Sequence, residues 1–132
     1  MNHQRLTQAW KRRVCLPLRR RYRPEVTVSV RGRPMRVDVR DCIIGYLLYL
    51  SGEYEGHLLD LVGYLPLGGA TCLDIGANIG LYALALGQMV GPSGQVFAFE
   101  PEQHNYDLLT ANVRMNGAAN IFPVNAAVGD RE

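Results

Sequence analysis

Eight residues, Leu73-Asp74-Ile75-Gly76-Ala77-Asn78-Ile79-Gly80, constrain this chain more than any other feature. They join a short apolar run, Thr71 to Ile75, to a segment from Ile79 to Val90 that is apolar at Ile79, Leu81, Tyr82, Leu84, Leu86, Met89 and Val90. The pattern is a strand, a glycine-rich turn and a helix so apolar that it must be largely buried. The residue types suit a turn that meets a ligand. Gly76 and Gly80 let backbone pass close by without a Cβ, and Asn78 tolerates the left-handed conformation. The free N–H groups that open the helix then face whatever lies above the strand end.

The pattern repeats downstream. Gly91-Pro-Ser-Gly94 is a turn, Gln95 to Glu100 a second strand ending on an acid, and Asn120 to Asn125 a third. Between the last two, Pro101 suits the first position of a helix with Glu102 in its positive first turn. Tyr106, Leu109 and Val113 supply its inner face, and Asn116-Gly117 its C-cap. Alternation of this kind predicts an α/β, Rossmann-like parallel sheet. Glu100 lies 20 residues beyond Gly80, where an acid at a strand end accepts hydrogen bonds from a ribose diol. The first position of the turn narrows the cofactor. Dinucleotide binders place glycine there, whereas Asp74 would repel a pyrophosphate and suits a cation. S-adenosylmethionine, with an ammonium, a sulfonium, a ribose and no phosphate, meets that requirement.

Upstream, Val26–Val30 and Met35–Val39 alternate apolar and polar residues around Arg31-Gly32-Arg33-Pro34, which predicts a β-hairpin with one buried face. Ile43 to Leu50 fits either a short helix or a buried strand. From His57 to Leu65 the spacing puts Leu58, Leu61, Val62 and Leu65 on one helical face, with Pro66 as the stop. Residues 1–24 form a basic, loosely ordered arm with a short helix around Leu6 to Val14. The chain thus divides into that arm, a hairpin and helical layer over 25–70, and a cofactor-binding part over 71–132.

Charge is unevenly spread. Residues 1–40 sum to +10 and residues 41–132 to −8. The arm's Arg runs could hold phosphates of nucleic acid or anionic lipid, but no reading element or aromatic platform accompanies them, so a solvated tail is preferred and nucleic acid is not expected. Cys15, Cys42 and Cys72 and the histidines at 3, 57 and 104 are scattered, which predicts a reduced, cytoplasmic chain without a metal site. The longest apolar stretch near the N-terminus is far short of a membrane span.

The phrases Gly52-Glu-Tyr-Glu55, Leu-Asp-Ile-Gly-Ala-Asn-Ile-Gly-Leu-Tyr-Ala (73–83), Gly-Pro-Ser-Gly-Gln-Val-Phe-Ala-Phe-Glu-Pro (91–101), Asn112, Asn116-Gly117 and Ala127-Val-Gly-Asp130 occur in order. Over residues 45–132 the chain resembles the FkbM family of S-adenosylmethionine-dependent methyltransferases. The resemblance implies the class I methyltransferase fold and O-methylation of a sugar or other small or secondary metabolite. Carried over by position, Asp74, Gly76, Asn78 and Gly80 would line the methionine and ribose side and Glu100 the ribose hydroxyls. Asn125 or Ala126 would sit near the adenine, and Tyr54-Glu55 would either touch the cofactor or cap a helix. The resemblance also implies a sheet with strand order 3-2-1-4-5. Only its strands 1–3 follow Thr71, so the first would form an apolar edge open to another chain, as in a fragment, a split domain or a truncated product. No catalytic residue can be nominated, and a non-catalytic remnant or an interaction module with a basic arm is the alternative reading.

Overall fold

A computed structural model describes residues 24–41 and 43–130 continuously, with a few single positions before them. Apart from Pro24 and those single positions, the 1–24 arm lies outside the described residues, as does Cys42. The chain divides into two compact units, Met1–Tyr54 and Glu55–Glu132.

In the first unit β1 (Glu25–Val30) and β2 (Arg33–Asp38) pair antiparallel, with Val30 opposite Arg33. The turn is therefore only Arg31-Gly32, both with positive φ (50° and 82°), the mirror-image turn that matches the strands' own twist. Arg33 and Pro34, expected in the turn, belong to β2. Alternation buries Val26, Val30, Met35 and Val37 on one face, as expected. The stretch open to either reading is helical, α1 (Ile44–Ser51). Asp41 starts it, its two carboxylate oxygens accepting from the amides of Ile43 and Gly45, and a single acid thereby satisfies two groups that helix geometry leaves open.

The second unit holds α2 (Gly56–Val62), β3 (Thr71–Ile75), α3 (Leu81–Val90), β4 (Gln95–Phe99), α4 (Gln103–Met115) and β5 (Ile121–Val124). The sheet is parallel in the order β3-β4-β5, with Asp74 opposite Ala98 and Ala98 opposite Pro123. Two successive crossovers of one hand carry α3 and α4 over the same face. Val96, Ala98 and Ile121 are buried there. The opposite face carries Leu73 and Ile75, 62% and 60% exposed, with Phe97 and Phe122 stacked at 5.2 Å between ring centroids. Among the described residues β3 pairs with β4 alone, so the first strand of the unit is an apolar edge as the sequence implied.

Three local expectations need correction. α2 ends at Val62 and buries Leu59, while Leu58, Leu61 and Leu65 are exposed. An apolar stripe turns inward only where a second surface meets it, and in a two-turn helix the single anchor Leu59 sets the rotation. α3 begins at Leu81 with Gly80 as N-cap, two residues later than the apolar run suggests. Pro101 precedes α4 and Glu102 is its N-cap, its carboxylate accepting the Asn105 amide at 2.7 Å. This shifts the inner face to Leu108, Leu109, Asn112 and Val113, leaving Tyr106 half-buried. No helix among the described residues is long and apolar enough to cross a membrane.

Asn112 is the polar member of that inner face. It is fully buried, and its Nδ2 donates to the Ile79 carbonyl at 2.9 Å, tying α4 to the loop that precedes α3. Removal of a buried partner costs the desolvation of the group left behind. Asn112→Ala is expected to destabilise the protein by about 1–3 kcal/mol in urea unfolding followed by circular dichroism; a change within about 0.3 kcal/mol would show that the bond is not a support of the loop.

Candidate functional site

The site lies at the carboxyl ends of β3 and β4, where the turn between β3 and α3 folds over the sheet edge. Gly76 and Ala77 both donate their amides to the Phe99 carbonyl at 2.9 Å, so the turn is anchored to the neighbouring strand. Gly76 has φ 82°, with open space where a Cβ would stand; a side chain there would be strained. Asn78 has φ 49°, and its side-chain oxygen accepts the Ile79 amide at 2.9 Å.

Glu100 joins the parts. It is 5% exposed; Oε2 accepts the Asn78 amide at 2.8 Å and Oε1 accepts the Glu102 amide at 3.0 Å. Its own amide donates to Val124, and its carbonyl accepts Asn125 Nδ2 at 2.9 Å. The carboxylate is thereby fixed in direction, with lone pairs on both oxygens still able to accept.

Asp74 has the opposite character. Its Oδ2 is buried and accepts no hydrogen bond. Burial pushes its carboxyl above the usual carboxylate range, opposed by a hydrogen bond from the Ala83 amide and reinforced by the charge of Glu100. Among the described residues no ion pair involves either acid. From residue 55 to 130 the one Lys or Arg is Arg114, in the last turn of α4, the end away from Glu102. A buried, orphaned carboxylate oxygen beside a second acid is a receptor for positive charge or for donor groups. Among the described residues no three His, Cys, Asp or Glu side chains gather to hold a metal.

The geometry brings Asp74, Gly76, Asn78 and Glu100 to one edge, and Asn125 joins them through Glu100. Gly80 has a steric reason of its own: a Cβ there would stand 2.6 Å from Leu109 Cδ1, at φ 92°. Ala126 is exposed beside Asn125, and Tyr54 belongs to the other compact unit. Glu55 does not cap α2 with its side chain; it accepts a 2.7 Å hydrogen bond from the Tyr82 hydroxyl. Tyr82, which reads from sequence as apolar filling, was missed. So was Asn112 as a positioning group, though an amide amid the Leu109 and Val113 stripe marks a buried polar contact.

A cavity of about 510 Å³ lies elsewhere, lined by Gly91–Gln95, Gly117–Asn120 and Phe122 among others. Those residues sit at the amino ends of β4 and β5, the opposite end of the sheet from Asp74 and Glu100, and none is ionisable.

No family model and no curated protein matches the chain. Solved structures do. M. jannaschii TYW2 in complex with AdoMet is 20% identical, with a TM-score of 0.63 over 78% of this chain and 43% of its own. The M. jannaschii tRNA m1G37 methyltransferase is 18% identical, TM-score 0.63, over 84% of this chain and 33% of its own. A protein-L-isoaspartate O-methyltransferase is 25% identical, TM-score 0.53, over 57% and 24%. The fold is that of the class I methyltransferases, and the chain spans less than half the length of each of these.

The raised pKa of Asp74 has a consequence for stability. The folded state binds its proton more tightly than the unfolded chain, so stability falls as pH rises from the usual carboxylate value of 3.8 through the raised one. Once ionised, the group works against folding. Asp74→Asn is expected to raise the melting temperature at pH 7 by a few degrees, roughly, with the gain vanishing near pH 3; scanning calorimetry in which the variant melts lower than the parent at pH 7 would contradict the assignment.

Proposed function

We propose that the chain carries the cofactor-binding part of an S-adenosylmethionine-dependent methyltransferase of the FkbM type, transferring a methyl group to a hydroxyl oxygen of a sugar or other small metabolite. The observation that carries the reading is the orphaned, buried Asp74 oxygen beside Glu100, at the sheet edge of a unit with almost no cationic side chains. The class I methyltransferase fold supports it, as does the ordered set of FkbM-like phrases. The named structures act on different acceptors: one is a tRNA methyltransferase and another a protein O-methyltransferase. The choice of a small hydroxylated acceptor therefore rests on the resemblance.

The residues present fit this cofactor. Glu100, held by two backbone amides, offers both oxygens to a ribose diol, each able to accept a second hydrogen bond. Gly76 leaves the space above the strand end clear. Asp74 supplies negative charge in a partly desolvated place, where Coulomb attraction is stronger than in water. Asn125, fixed against Glu100, borders the adenine side. When bound, the cofactor supplies a methyl group activated on a sulfonium. This chain's residues orient it and exclude phosphate, and transfer is then largely a matter of alignment with the acceptor. In this reading 1–24 is an arm, 25–70 a hairpin and helical layer and 71–132 the cofactor-binding part, in a reduced, cytoplasmic setting.

Calorimetric titration of the full protein with S-adenosylmethionine or S-adenosylhomocysteine is expected to give a single-site isotherm with Kd below about 1 mM. Glu100→Gln should weaken it on the order of 10–100-fold through the lost charge-assisted hydrogen bonds. Undetectable binding at millimolar ligand, or binding of NADH instead, would sink the reading.

A further inference from the structure

We infer that Glu55, oriented by Tyr82, recognises the protonated amine at the amino-acid end of the cofactor, and so selects the complete amino-acid-bearing ligand over its nucleoside fragment. The inference rests on the cofactor reading above.

Its geometry starts from the Tyr82 hydroxyl, which donates to Glu55 Oε2 at 2.7 Å. Tyr82 stands in the first turn of α3, two residues beyond the end of the Gly76–Gly80 turn. The hydroxyl therefore ties a third carboxylate, 19 residues upstream of Asp74, to the first turn of the helix that follows the Gly76–Gly80 turn. Glu55 and Asp74 belong to two different segments, one before and one within β3.

Helix capping does not account for the Glu55 side chain. The backbone carbonyl of Glu55 accepts the Leu58 and Leu59 amides, which starts α2, while the carboxylate makes no capping bond. Any residue type would supply that carbonyl. Moreover, Glu55 holds φ 50° and ψ 37°, a left-handed backbone that asparagine or glycine adopts more readily. A glutamate there is costly for the fold, so the reason for it lies in the carboxylate. Oε1 accepts no hydrogen bond among the described residues, and Arg114, the single Lys or Arg between residues 55 and 130, lies in the last turn of α4.

The chemistry divides accordingly. Glu100 is fixed for neutral hydroxyls. Asp74 is partly desolvated and favours a nearby positive charge. Glu55 is exposed, is steered by a phenol rather than buried, and suits a group that stays hydrated while it binds, such as a primary ammonium. Tyr82 acts through Glu55 and is a positioning residue.

The test compares two ligands on the full chain: S-adenosylhomocysteine, which carries the amino-acid end, and 5′-methylthioadenosine, which has the same nucleoside and a thioether but no amino acid. Glu55→Gln is expected to weaken S-adenosylhomocysteine about tenfold and methylthioadenosine less than about twofold. Tyr82→Phe should weaken the first about threefold with the same selectivity, and Glu55→Asp should recover part of the preference. Equal weakening of both ligands by Glu55→Gln would make Glu55 a structural residue only, and unchanged affinity for both would remove it from the site; either overturns the inference while leaving the cofactor reading standing. A parent protein that binds neither ligand would overturn both.

Discussion

The Glu100 carboxylate is the constraint on which the site depends. One oxygen holds the turn after β3 through the Asn78 amide, the other holds the start of α4 through the Glu102 amide, and the residue's own backbone is bonded to β5 and Asn125. Three segments distant in sequence thus meet at a single buried acid. Hydrogen bonds to an ionised acceptor are about twice as strong as neutral ones, and here the donors are amides that helix and turn geometry leave without partners. The same side chain that shapes the edge is therefore presented, in a fixed direction, to whatever binds there.

Asp74 makes the complementary case. A group that serves the fold has its polar atoms satisfied, and Asp74 keeps one buried oxygen without a partner and a carboxyl held toward its neutral form by burial. Such a group is tolerated because the rest of the unit is well anchored: Asn112 secures the loop before α3 and Leu109 fills the space beside Gly80. Stability is given up locally at a place where charge is useful, as is common at binding sites. The division of charge along the chain acquires a structural meaning. The described hairpin unit balances its arginines against Glu25, Asp38, Asp41 and Glu53, so the positive excess resides in the residues before 24, and the sheet unit is left acidic where the site is.

Much of this was legible in the sequence because it depends on local rules. Alternating apolar runs and glycine-rich turns placed β3, β4, β5 and the two helices between them, and an acid at each of two strand ends marked the edge. The hairpin followed from period-two alternation. What was not legible depends on tertiary choices. The rotation of α2 is decided by one anchor, Leu59, against an apolar stripe that points the other way. The start of α4 is decided by which residue finds an amide to accept, and Glu102 does so where Pro101 only fits by φ. The steric need for glycine at position 80, set by the close pass of Leu109, is likewise a tertiary matter. The Tyr82 to Glu55 bond joins residues 27 apart, and neither has a periodic signal.

The two ends of the parallel sheet differ chemically, which explains why a cavity's size does not locate the site. At the amino ends of β4 and β5 the lining is glycine, alanine, serine, amide, Pro92 and the Phe122 ring, with two amide hydrogens of Asn120 already given to the Gly87 and Gly91 carbonyls. No charge is stored there and no polar side chain is held in tension. At the carboxyl ends the amides of Gly76, Ala77 and Asn78 are spent on Phe99 and Glu100, so these three are not offered to a phosphate as the turn amides of dinucleotide-binding folds are. Two acids stand where such a phosphate would come. In the proposed function both the spent amides and the added charge would disfavour a nucleotide, and the same arrangement would favour a nucleoside that carries positive charge. Selection between those ligands would then depend on what the turn does with its amides as much as on the carboxylates themselves.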